Sequence, residues 1–442
     1  MSFKLGKPIR VGICGLGTVG GGTLALLQNN ADEIARRLGA PLEVVRIASR
    51  SLDPEDVPAN IIGGTDPFAV VNDENVDIVV ETMGGFDPAF EVVKQALSNG
   101  KHVVTANKAL IAEQGNALFA VAEEKGMTLA FESSVAGGIP IIKALREGLA
   151  ANQIEWLAGI INGTGNFILT EMAMRRCEFE QVLKQAQELG YAEADPTFDV
   201  EGIDAAHKLT IMASIAFGIP LQFSKTYTEG ISHITPDDIS YAKELGYRIK
   251  HLGIARRTSK GIEMRVHPTL IPRKQLLANV NGVGNAILVR GSAVGSTLYS
   301  GPGAGAGATA SAVVADIIDI ARQKMAGIKR PLMPALGYRQ QRDDLEVLGI
   351  EAIESEYYLR IPVQDKVGVM ARISNVLLEH DISIDAVIQK EAVSASVPIV
   401  ILTHLAEERL LNKALRAIEA LPDVTGPINR IRVEPFNGGV GA

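Results

Sequence analysis

The chain has 442 residues, which is too long for one ordinary hydrophobic core and predicts about two to four domains. Its net charge of −8 and the lack of a long basic run argue against nucleic acid or an anionic membrane as a partner. Cys14 and Cys177 are the only cysteines, so neither a disulfide framework nor a thiolate metal cluster is expected. No secretory signal is recognisable, and the longest apolar tract is interrupted by Asp316 and Asp319. We therefore expect a globular, cytoplasmic protein.

The first predicted unit is a short apolar strand, a glycine turn and an amphipathic helix over residues 18–38. Gly15, Gly17 and Gly20 have the G-x-G-x-x-G spacing, in which the glycines permit a tight turn and a close approach of the backbone to a pyrophosphate. The helix N-terminus supplies free N–H groups for the phosphates. The alternative is a merely tight strand–helix turn. The candidate cofactor-binding residues here are Gly15, Leu16, Gly17, Thr18, Val19 and Gly20.

The second strand, LEVVRIASR, ends in Ser49 and Arg50. In dinucleotide-binding domains that prefer NAD, this strand usually ends in Asp or Glu, which binds the ribose hydroxyls. A cation at this position pairs with a 2′-phosphate instead, so the sequence favours NADP(H) and leaves NAD(H) possible. The alternative is that Arg50 is only a solvated strand end.

Two more strand–helix units follow, and both carry polar residues at the carboxyl end of the strand. VDIVVETMGG ends in Thr82, Gly84 and Gly85, and KHVVTANKALIAEQG ends at Thr105 with Lys108 opening the next helix. Ligands of open parallel sheets lie beyond the carboxyl ends of the strands. Lys108 is therefore a candidate for the nicotinamide end of the cofactor site, or else a solvated lysine.

The middle of the chain contains two further glycine-rich segments. A strand, a glycine turn from Asn162 to Asn166 and a helix are predicted in IEWLAGIINGTGNFILTEMA. This turn is either an ordinary connection or a polar wall built from backbone N–H groups and Thr164. A second glycine loop around Gly303 leads into a long helix near 304–325, and it either caps a nucleotide or is a plain linker.

An acidic stretch, LGYAEADPTFDVEGIDAAHK at residues 189–208, precedes a helix that ends at Gly218. Asp204 and Lys208 lie one turn apart on one face of that helix. Taken alone, the stretch is either a surface loop with an ordinary ion pair or a site that needs both signs of charge.

The C-terminal part of the chain predicts a small separate domain. Residues 329–354 are polar and irregular, and we interpret them as a linker. Residues 355–434 then read strand, helix, strand, strand, helix, strand, with one strand expected from Asp381 to Gln389. This is the order of a ferredoxin-like βαββαβ unit. Such a unit exposes a sheet face and an edge that can pair with a second copy.

Together, these motifs resemble the homoserine dehydrogenase family. The resemblance rests on GLGTVG, VVTANKALIA, FESSVAGGIPII, NGTGNFIL and the acidic stretch from Gly190 to Lys208. The tail resembles an ACT domain, although it has Val367 where that family often has proline. The resemblance implies an α/β protein with a Rossmann-type dinucleotide-binding domain at 1–140, an α+β catalytic and dimerisation domain at 141–328 and a C-terminal ferredoxin-like ACT domain at 355–434. No kinase domain is present in the sequence.

The resemblance implies reversible reduction of L-aspartate 4-semialdehyde to L-homoserine by NAD(P)H. Carboxylates suit the substrate ammonium, and Glu193 and Asp199 are the candidates, with Gly190 and Thr164 nearby in the motifs. The aldehyde oxygen gains negative charge as hydride arrives and needs a proton donor beside it. Lys208, oriented by Asp204, is the predicted donor, and Lys108 is the second catalytic cation.

The family also implies a monovalent cation, with sodium as the candidate, held by carbonyls around Glu132, Val135, Gly137 and Ile139. The ACT resemblance implies a threonine effector near Gly368, with Asn375 or Gln389 as polar contacts, and a homodimer or homotetramer. One rival function is a non-catalytic sensor of NADP and an amino acid. Another is an aldehyde oxidation through a cysteine, which the positions of both cysteines argue against.

Overall fold

The structure, a computed structural model, describes residues 6–52, 57–389 and 396–436. It divides into two compact units. The first comprises Met1–Ile154, His207–Phe223 and Ile287–Leu345, and the second comprises Glu155–Ala206, Ser224–Ala286 and Glu346–Ala442. Neither unit is a continuous stretch, because the chain passes between them several times. Across the described ranges, no helix is both long and apolar enough to cross a membrane.

The helices, in chain order, are α1 Thr18–Asn29, α2 Ala31–Leu38, α3 Pro67–Val71, α4 Ala89–Ser98, α5 Lys108–Lys125, α6 Ile141–Lys143, α7 Gly163–Arg175, α8 Phe179–Glu188, α9 Thr197–Val200, α10 Ile203–Phe217, α11 Pro236–Glu244, α12 Ala306–Met325, α13 Val369–Glu379 and α14 Glu408–Glu419. Short 3-10 turns lie at Glu132–Ser134, Phe223–Lys225, Leu277–Asn279 and Ile350–Ala352, and a π-helical turn at Ala144–Gly148.

The strands, in chain order, are β1 Ile9–Cys14, β2 Leu42–Ala48, β3 Ile62–Gly64, β4 Ile78–Glu81, β5 His102–Thr105, β6 Leu129–Ala130, β7 Ile154–Ile160, β8 Tyr227–Thr228, β9 Tyr247–Arg257, β10 Ile262–Pro272, β11 Gly284–Gly291, β12 Gly295–Pro302, β13 Glu354–Gln364, β14 Ile384–Gln389, β15 Ser396–Thr403, β16 Ala406–Glu407 and β17 Asn429–Val433.

The first unit is built on a parallel sheet with the strand order β3-β2-β1-β4-β5-β6. The order reverses between β1 and β4, so the connections leave these strands in opposite directions and open a crevice at their carboxyl ends. Apolar β1 and β4 residues such as Val11, Ile13 and Ile78 are fully buried in the core. The Rossmann-type domain predicted from the glycine turn is confirmed.

The helix predicted over residues 18–38 is two helices. Asn30 has φ −109° and ψ 19°, which ends α1 and starts α2 on a new axis. The long helix predicted after the second glycine loop is α12, and its Val313 and Ile317 complete the core of the first unit.

The second unit contains a mixed sheet in which β7, β9, β10, β17, β13, β15 and β14 are neighbours in that order. Neighbouring strands are antiparallel except β10 and β17, which pair in parallel through Thr269 with Arg432 and Leu270 with Val433. The predicted βαββαβ unit is present as β13, α13, β14, β15, α14 and β17, with the short β16 added. Its sheet therefore continues the sheet of the catalytic part.

The expectation that the βαββαβ unit exposes one sheet face is wrong. Alternate residues of its strands face opposite sides, and both sides are buried. Tyr357 and Leu359 pack against α13 and α14, while Tyr358 and Ile431 pack against the core formed by α7, α8 and α11. One edge is also occupied, because β17 pairs with β10. Among the described strands of the βαββαβ unit, β14 is the one that lies at an end of the strand order.

The segment 329–354 has little regular structure, yet side chains and backbone bonds hold it in place. The Tyr338 hydroxyl donates to the Ala216 carbonyl at 3.2 Å, and the Arg342 N–H donates to the Gly218 carbonyl at 2.7 Å. Further along, Ile262 and residues 346–348 exchange backbone hydrogen bonds. The segment is an ordered connection.

Candidate active site

The glycine turn between β1 and α1 has no room for side chains at two of its three glycines. A Cβ on Gly15, which has φ +98°, would lie 2.7 Å from the Thr82 carbonyl oxygen, and a Cβ on Gly20 would lie 1.9 Å from the Gly15 carbonyl oxygen. Gly17 is the N-cap of α1, and the space where its side chain would be is open. This leaves the backbone N–H groups at the start of α1 accessible to a phosphate.

The other predicted cofactor residues of this region divide into packing and exposed groups. Leu16 and Val19 pack against the core of the first unit, whereas Thr18 is exposed at the start of α1. Strand β2 ends at Ala48, and the Ser49 N–H donates to Gly64. Arg50 follows with an exposed side chain, the arrangement that a guanidinium needs to reach a 2′-phosphate.

Glu81, at the carboxyl end of β4, is a buried carboxylate that sequence reasoning missed. It accepts hydrogen bonds from the N–H groups of Met83 and Gly84 at 2.8 and 3.3 Å and from the Thr105 hydroxyl at 2.5 Å. Burial raises the pKa of this carboxyl, and these donors oppose the rise. Glu81 thus ties the loop after β4, including the predicted Gly84, to the end of β5. The available signal was an acid at the end of an otherwise apolar strand.

Thr82 and Asn107 shape the same region. The Thr82 hydroxyl donates to the Gly15 carbonyl at 2.8 Å, so it braces the glycine turn. The Asn107 side chain accepts from the Leu110 N–H and donates to the Gly85 carbonyl at 2.6 Å. It caps α5, which begins at the half-buried Lys108 as predicted. The start of α5 is therefore fixed to the loop after β4.

The predicted cation loop has two consecutive residues with left-handed backbone. Ala136 has φ +55° and Gly137 has φ +51°, and a Cβ on Gly137 would lie 2.6 Å from the carbonyl oxygen of Gly303. The buried carbonyls of Val135 and Gly137 receive no hydrogen bond from the residues that the structure describes. Oxygen atoms in this state suit a cation that accepts carbonyl ligands.

The remaining parts of this loop are engaged with neighbouring backbone. The Glu132 carboxylate accepts from the N–H groups of Ile142 and Lys143, both at 2.9 Å, and its carbonyl accepts from the Val135 N–H at 3.3 Å. The Ile139 carbonyl already accepts from Ile141 at 2.7 Å. In the described part of the chain, no three or more His, Cys, Asp or Glu side chains form a metal-binding group. The fit is therefore to backbone oxygens.

In the second unit, Asn162 joins the two predicted acids of the acidic stretch. Its side-chain amide donates to Asp199 at 2.7 Å and to Asp204 at 2.8 Å, and its side-chain oxygen accepts from the Gly165 N–H at 2.7 Å. The turn predicted from Asn162 to Asn166 is thus the capped first turn of α7. Asp204 is buried and Asp199 half-buried. Two carboxylates sharing one amide form a compact negative centre.

Thr164, Gly190 and Glu193, the other predicted substrate-binding residues, differ in their surroundings. The Thr164 hydroxyl donates to the Tyr191 carbonyl at 2.6 Å and so holds the turn at Gly190, which has φ +73°. The Glu193 side chain is exposed. Thr164 therefore positions the acidic stretch, while Glu193 is accessible to a ligand.

Helix α10 begins at Ile203 and places Asp204 in its first turn, as predicted. Lys208 follows one turn later on the same face and is half-buried. The boundary between the two compact units falls inside this helix, after Ala206.

Neither cysteine suits nucleophilic catalysis. Cys14 is fully buried in β1, and burial strongly raises the pKa of its thiol. A thiolate is the reactive form, so this thiol is inert. Cys177 lies between α7 and α8, outside both groups of predicted site residues.

The strand order and the glycine turn define a Rossmann-type protein that binds a dinucleotide. Residues 15–132 match the family described as the NAD-binding domain of homoserine dehydrogenase, residues 140–318 match the homoserine dehydrogenase family and residues 357–423 match the ACT domain. The chain belongs to the homoserine dehydrogenase family and is an NAD(P)-dependent oxidoreductase.

Relatives match along almost the whole chain. A homoserine dehydrogenase of Pseudomonas aeruginosa is 58% identical over 435 residues, covering 98% of this chain and 100% of the relative. The crystal structure of a homoserine dehydrogenase from Thiobacillus denitrificans is 56% identical with a TM-score of 0.94, covering 98% of this chain and 100% of that chain. A hyperthermophilic archaeal homoserine dehydrogenase in complex with NADPH is 27% identical with a TM-score of 0.61, covering 71% of this chain and 97% of that chain.

Proposed function

We propose that this enzyme reduces L-aspartate 4-semialdehyde to L-homoserine, reversibly, in the biosynthesis of threonine, methionine and isoleucine. The assignment of the site rests on the side-chain amide of Asn162, which donates hydrogen bonds to both Asp199 and Asp204. Asp204 lies one helical turn before Lys208. The substrate carries an ammonium group and an aldehyde that becomes an alkoxide. Negative and positive side chains are therefore both needed beside it.

A bound reduced dinucleotide would supply the hydride that the aldehyde carbon needs. Lys208 would donate a proton from its ammonium group to the aldehyde oxygen. Asp204, one turn earlier on the same face of α10, orients Lys208, and Lys108 supplies a second positive charge. Glu193 and Asp199 bind the substrate ammonium. The product is the neutral alcohol group of homoserine with an oxidised cofactor.

The assay that tests this activity follows NADPH absorbance after aspartate semialdehyde is added to the purified protein. Loss of absorbance with formation of homoserine supports the proposal. Binding of NADPH without turnover would favour the rival function, a non-catalytic sensor of NADP and an amino acid.

We propose NADP(H) as the preferred cofactor, with Arg50 as the residue that binds the 2′-phosphate. Arg50→Ala is expected to raise the KM for NADPH by roughly ten- to a hundred-fold, because a charge-assisted hydrogen bond is lost, and to change the KM for NADH little. Arg37→Ala, at an exposed arginine of α2, is the control. Equal effects on both cofactors would show that Arg50 only supports the fold.

We also propose that a monovalent cation, sodium being the first candidate, binds the carbonyls of Val135 and Gly137, with Glu132 and Ile139 completing the loop. Its role would be to hold this loop, because Ala136, a non-glycine residue with φ +55°, is otherwise strained there. Thermal unfolding in chloride salts of sodium, potassium and tetramethylammonium at equal ionic strength is expected to give a higher Tm in sodium. Identical Tm values in the three salts would contradict the site.

Threonine is the proposed effector of the ACT domain, which would associate with a second copy through the β14 edge in a homodimer or homotetramer. Gly368, with φ +88°, caps α13, and the exposed side chains of Asn375 and Gln389 are the candidate contacts. The strand here begins at Ile384, after Asp381 with φ +58°, and not at Asp381 as predicted.

Threonine is expected to inhibit the full-length enzyme, and Asn375→Ala or Gln389→Ala to weaken this inhibition several-fold, within a coupling of about 1–3 kcal/mol. Lys413→Ala, at an exposed position of α14, is the control. Light scattering with and without threonine reports the oligomeric state. An enzyme that ignores millimolar threonine would remove threonine from the proposal.

A further inference from the structure

A buried arginine near the end of the chain joins the ACT domain to the catalytic part of the second unit. Arg432, on β17, is 1% exposed. Its guanidinium forms a two-pronged pair with Glu408 of α14, through Nε at 2.9 Å and Nη2 at 2.5 Å. Its third nitrogen, Nη1, donates to the Glu229 carboxylate at 2.7 Å. One side chain thus bonds an ACT helix and a residue just after β8.

Both carboxylates are further held, so the contact is well defined. The Tyr357 hydroxyl donates to Glu408 at 2.8 Å, and the Tyr227 hydroxyl donates to Glu229 at 2.8 Å. Burial raises the pKa of Glu229, but the charge and hydrogen bonds of Arg432, together with the charge of Arg430 and the Tyr227 hydrogen bond, outweigh burial and lower it overall. Arg430 also reaches both carboxylates, at 2.9 Å from Glu408 and 3.5 Å from Glu229. The shorter contact of Glu229 is the 2.7 Å bond to Arg432, and losing it would leave this half-buried carboxylate with the more distant cation, which is unfavourable.

The segment that follows Glu229 is packed directly on the acidic stretch. The Ile231 N–H donates to the Val200 carbonyl at 3.0 Å, and the Ser232 hydroxyl donates to Glu201 at 3.2 Å. Gly230 admits no side chain, since a Cβ there would lie 2.8 Å from the Val200 carbonyl oxygen. Val200 and Glu201 immediately follow Asp199. A shift of residues 229–232 must therefore move the acidic stretch.

His251 of β9 supports the same two segments. Its Nε2 lies 3.0 Å from the Glu229 carbonyl, and since a carbonyl only accepts, Nε2 carries the proton. Burial lowers the pKa of His251 to about 4, so the ring is neutral at pH 7. A Cβ on Gly202, which has φ +83°, would lie 3.1 Å from its Cε1. The histidine is thus wedged between Glu229 and the turn that precedes α10.

We propose that Arg432 is a positioning residue for the substrate-binding stretch: it holds Glu229, and through residues 229–232 it sets the placement of Asp199. The proposal rests on the substrate site proposed above. If so, the ACT domain contributes to substrate affinity in every state of the enzyme. In addition, a change in the ACT domain would reach the substrate-binding stretch through the contact between α14 and Arg432.

The test compares full-length Arg432→Met with Arg256→Met, a matched control. Arg256 also donates to a carboxylate at the end of β17, Glu434 at 2.7 Å, but from β9. Arg432→Met is expected to raise the KM for aspartate semialdehyde roughly ten-fold, below the about 10²-fold that a 1 Å misplacement can cost. Its kcat is expected to stay within about two-fold and its Kd for NADPH to be unchanged, because the cofactor residues lie in the first unit. Arg256→Met is expected to leave this KM unchanged.

Two further variants keep the test decisive if Arg432→Met fails to fold. Glu408→Gln is expected to raise the KM in the same direction by a smaller factor, and Arg432→Lys, which keeps a cation for Glu229, to restore most of the affinity. Adding Glu229→Gln to Arg432→Met is expected to add little, because both changes break one connection. A purely structural role would lower Tm without this separation of KM from kcat.

A parallel variant, Asp199→Asn, separates failure of the inference from failure of the proposed site. If Asp199→Asn raises the KM and the Arg432 and Glu408 variants match Arg256→Met, the positioning role is overturned and the substrate site stands. If Asp199→Asn leaves the KM unchanged, the substrate site is wrong and the positioning role falls with it.

Discussion

Lys208→Ala is expected to lower kcat by roughly 10²–10⁴-fold, the loss that usually follows removal of a general acid. The proton for the aldehyde oxygen would then have to come from water, which is not positioned for the transition state. NADPH affinity is expected to stay nearly normal, because the glycine turn between β1 and α1 is unaffected. Steady-state kinetics in the reducing direction, with NADPH titrated separately, measures both quantities.

Two companion variants distinguish proton donation from positive charge alone. Lys208→Arg keeps the charge, but a guanidinium does not release its proton at neutral pH, so a large loss of kcat is again expected. Lys184→Ala, at an exposed lysine of α8, is expected to behave like the unaltered enzyme. Near-normal turnover by Lys208→Ala would show that another group is the donor, with Lys108 as the next candidate.

Truncation after Leu348 is expected to prevent accumulation of folded enzyme. It removes β17 from its place beside β10 and strips Tyr358, Val400, Leu402 and Ile431 from the core of the second unit. Burial of such a side chain contributes roughly 1.5–3 kcal/mol. Losing several of them approaches the about 5–15 kcal/mol that keeps a typical protein folded. The measurement is the soluble yield and the thermal unfolding of the truncated chain.

Truncation after Phe436 is the matched control, because it keeps β17 beside β10 and the stacking of Phe436 on Trp156. It is expected to give soluble, active enzyme. A soluble chain ending at Leu348 with full turnover would contradict the dependence of the catalytic core on the ACT strands.

Much of the first unit could be predicted because its signals are local. A glycine triplet between an apolar strand and a helix, and Lys108 directly after an apolar strand, are readable within a few residues of sequence. The acidic stretch was likewise readable, since Asp204 and Lys208 fall on one helical face. The break at Asn30 was not, because Asn is only mildly unfavourable inside a helix and packing decides such a case.

The partners of the site residues were beyond sequence reasoning. Asn162 meets Asp199 and Asp204 across a wide separation in the chain, and Glu81 meets Thr105 across another. Such contacts depend on which strands become neighbours in the fold. The sequence around a single asparagine or glutamate does not indicate which residue it will contact. The same holds for Arg432, which in sequence is one of two arginines on a short strand.

The sequence by itself determined the architecture: a dinucleotide-binding sheet, a glycine-rich catalytic region and a βαββαβ tail, each specified by hydrophobic periodicity and turn residues. Only the tertiary structure decided that the tail is not a detachable module. Tyr357 and Tyr358 are adjacent aromatic residues of one strand, and successive side chains of a strand point to opposite faces of the sheet. Whether the second face meets solvent, another subunit or the catalytic core depends on the parallel pairing of β17 with β10, a contact between segments far apart in the chain.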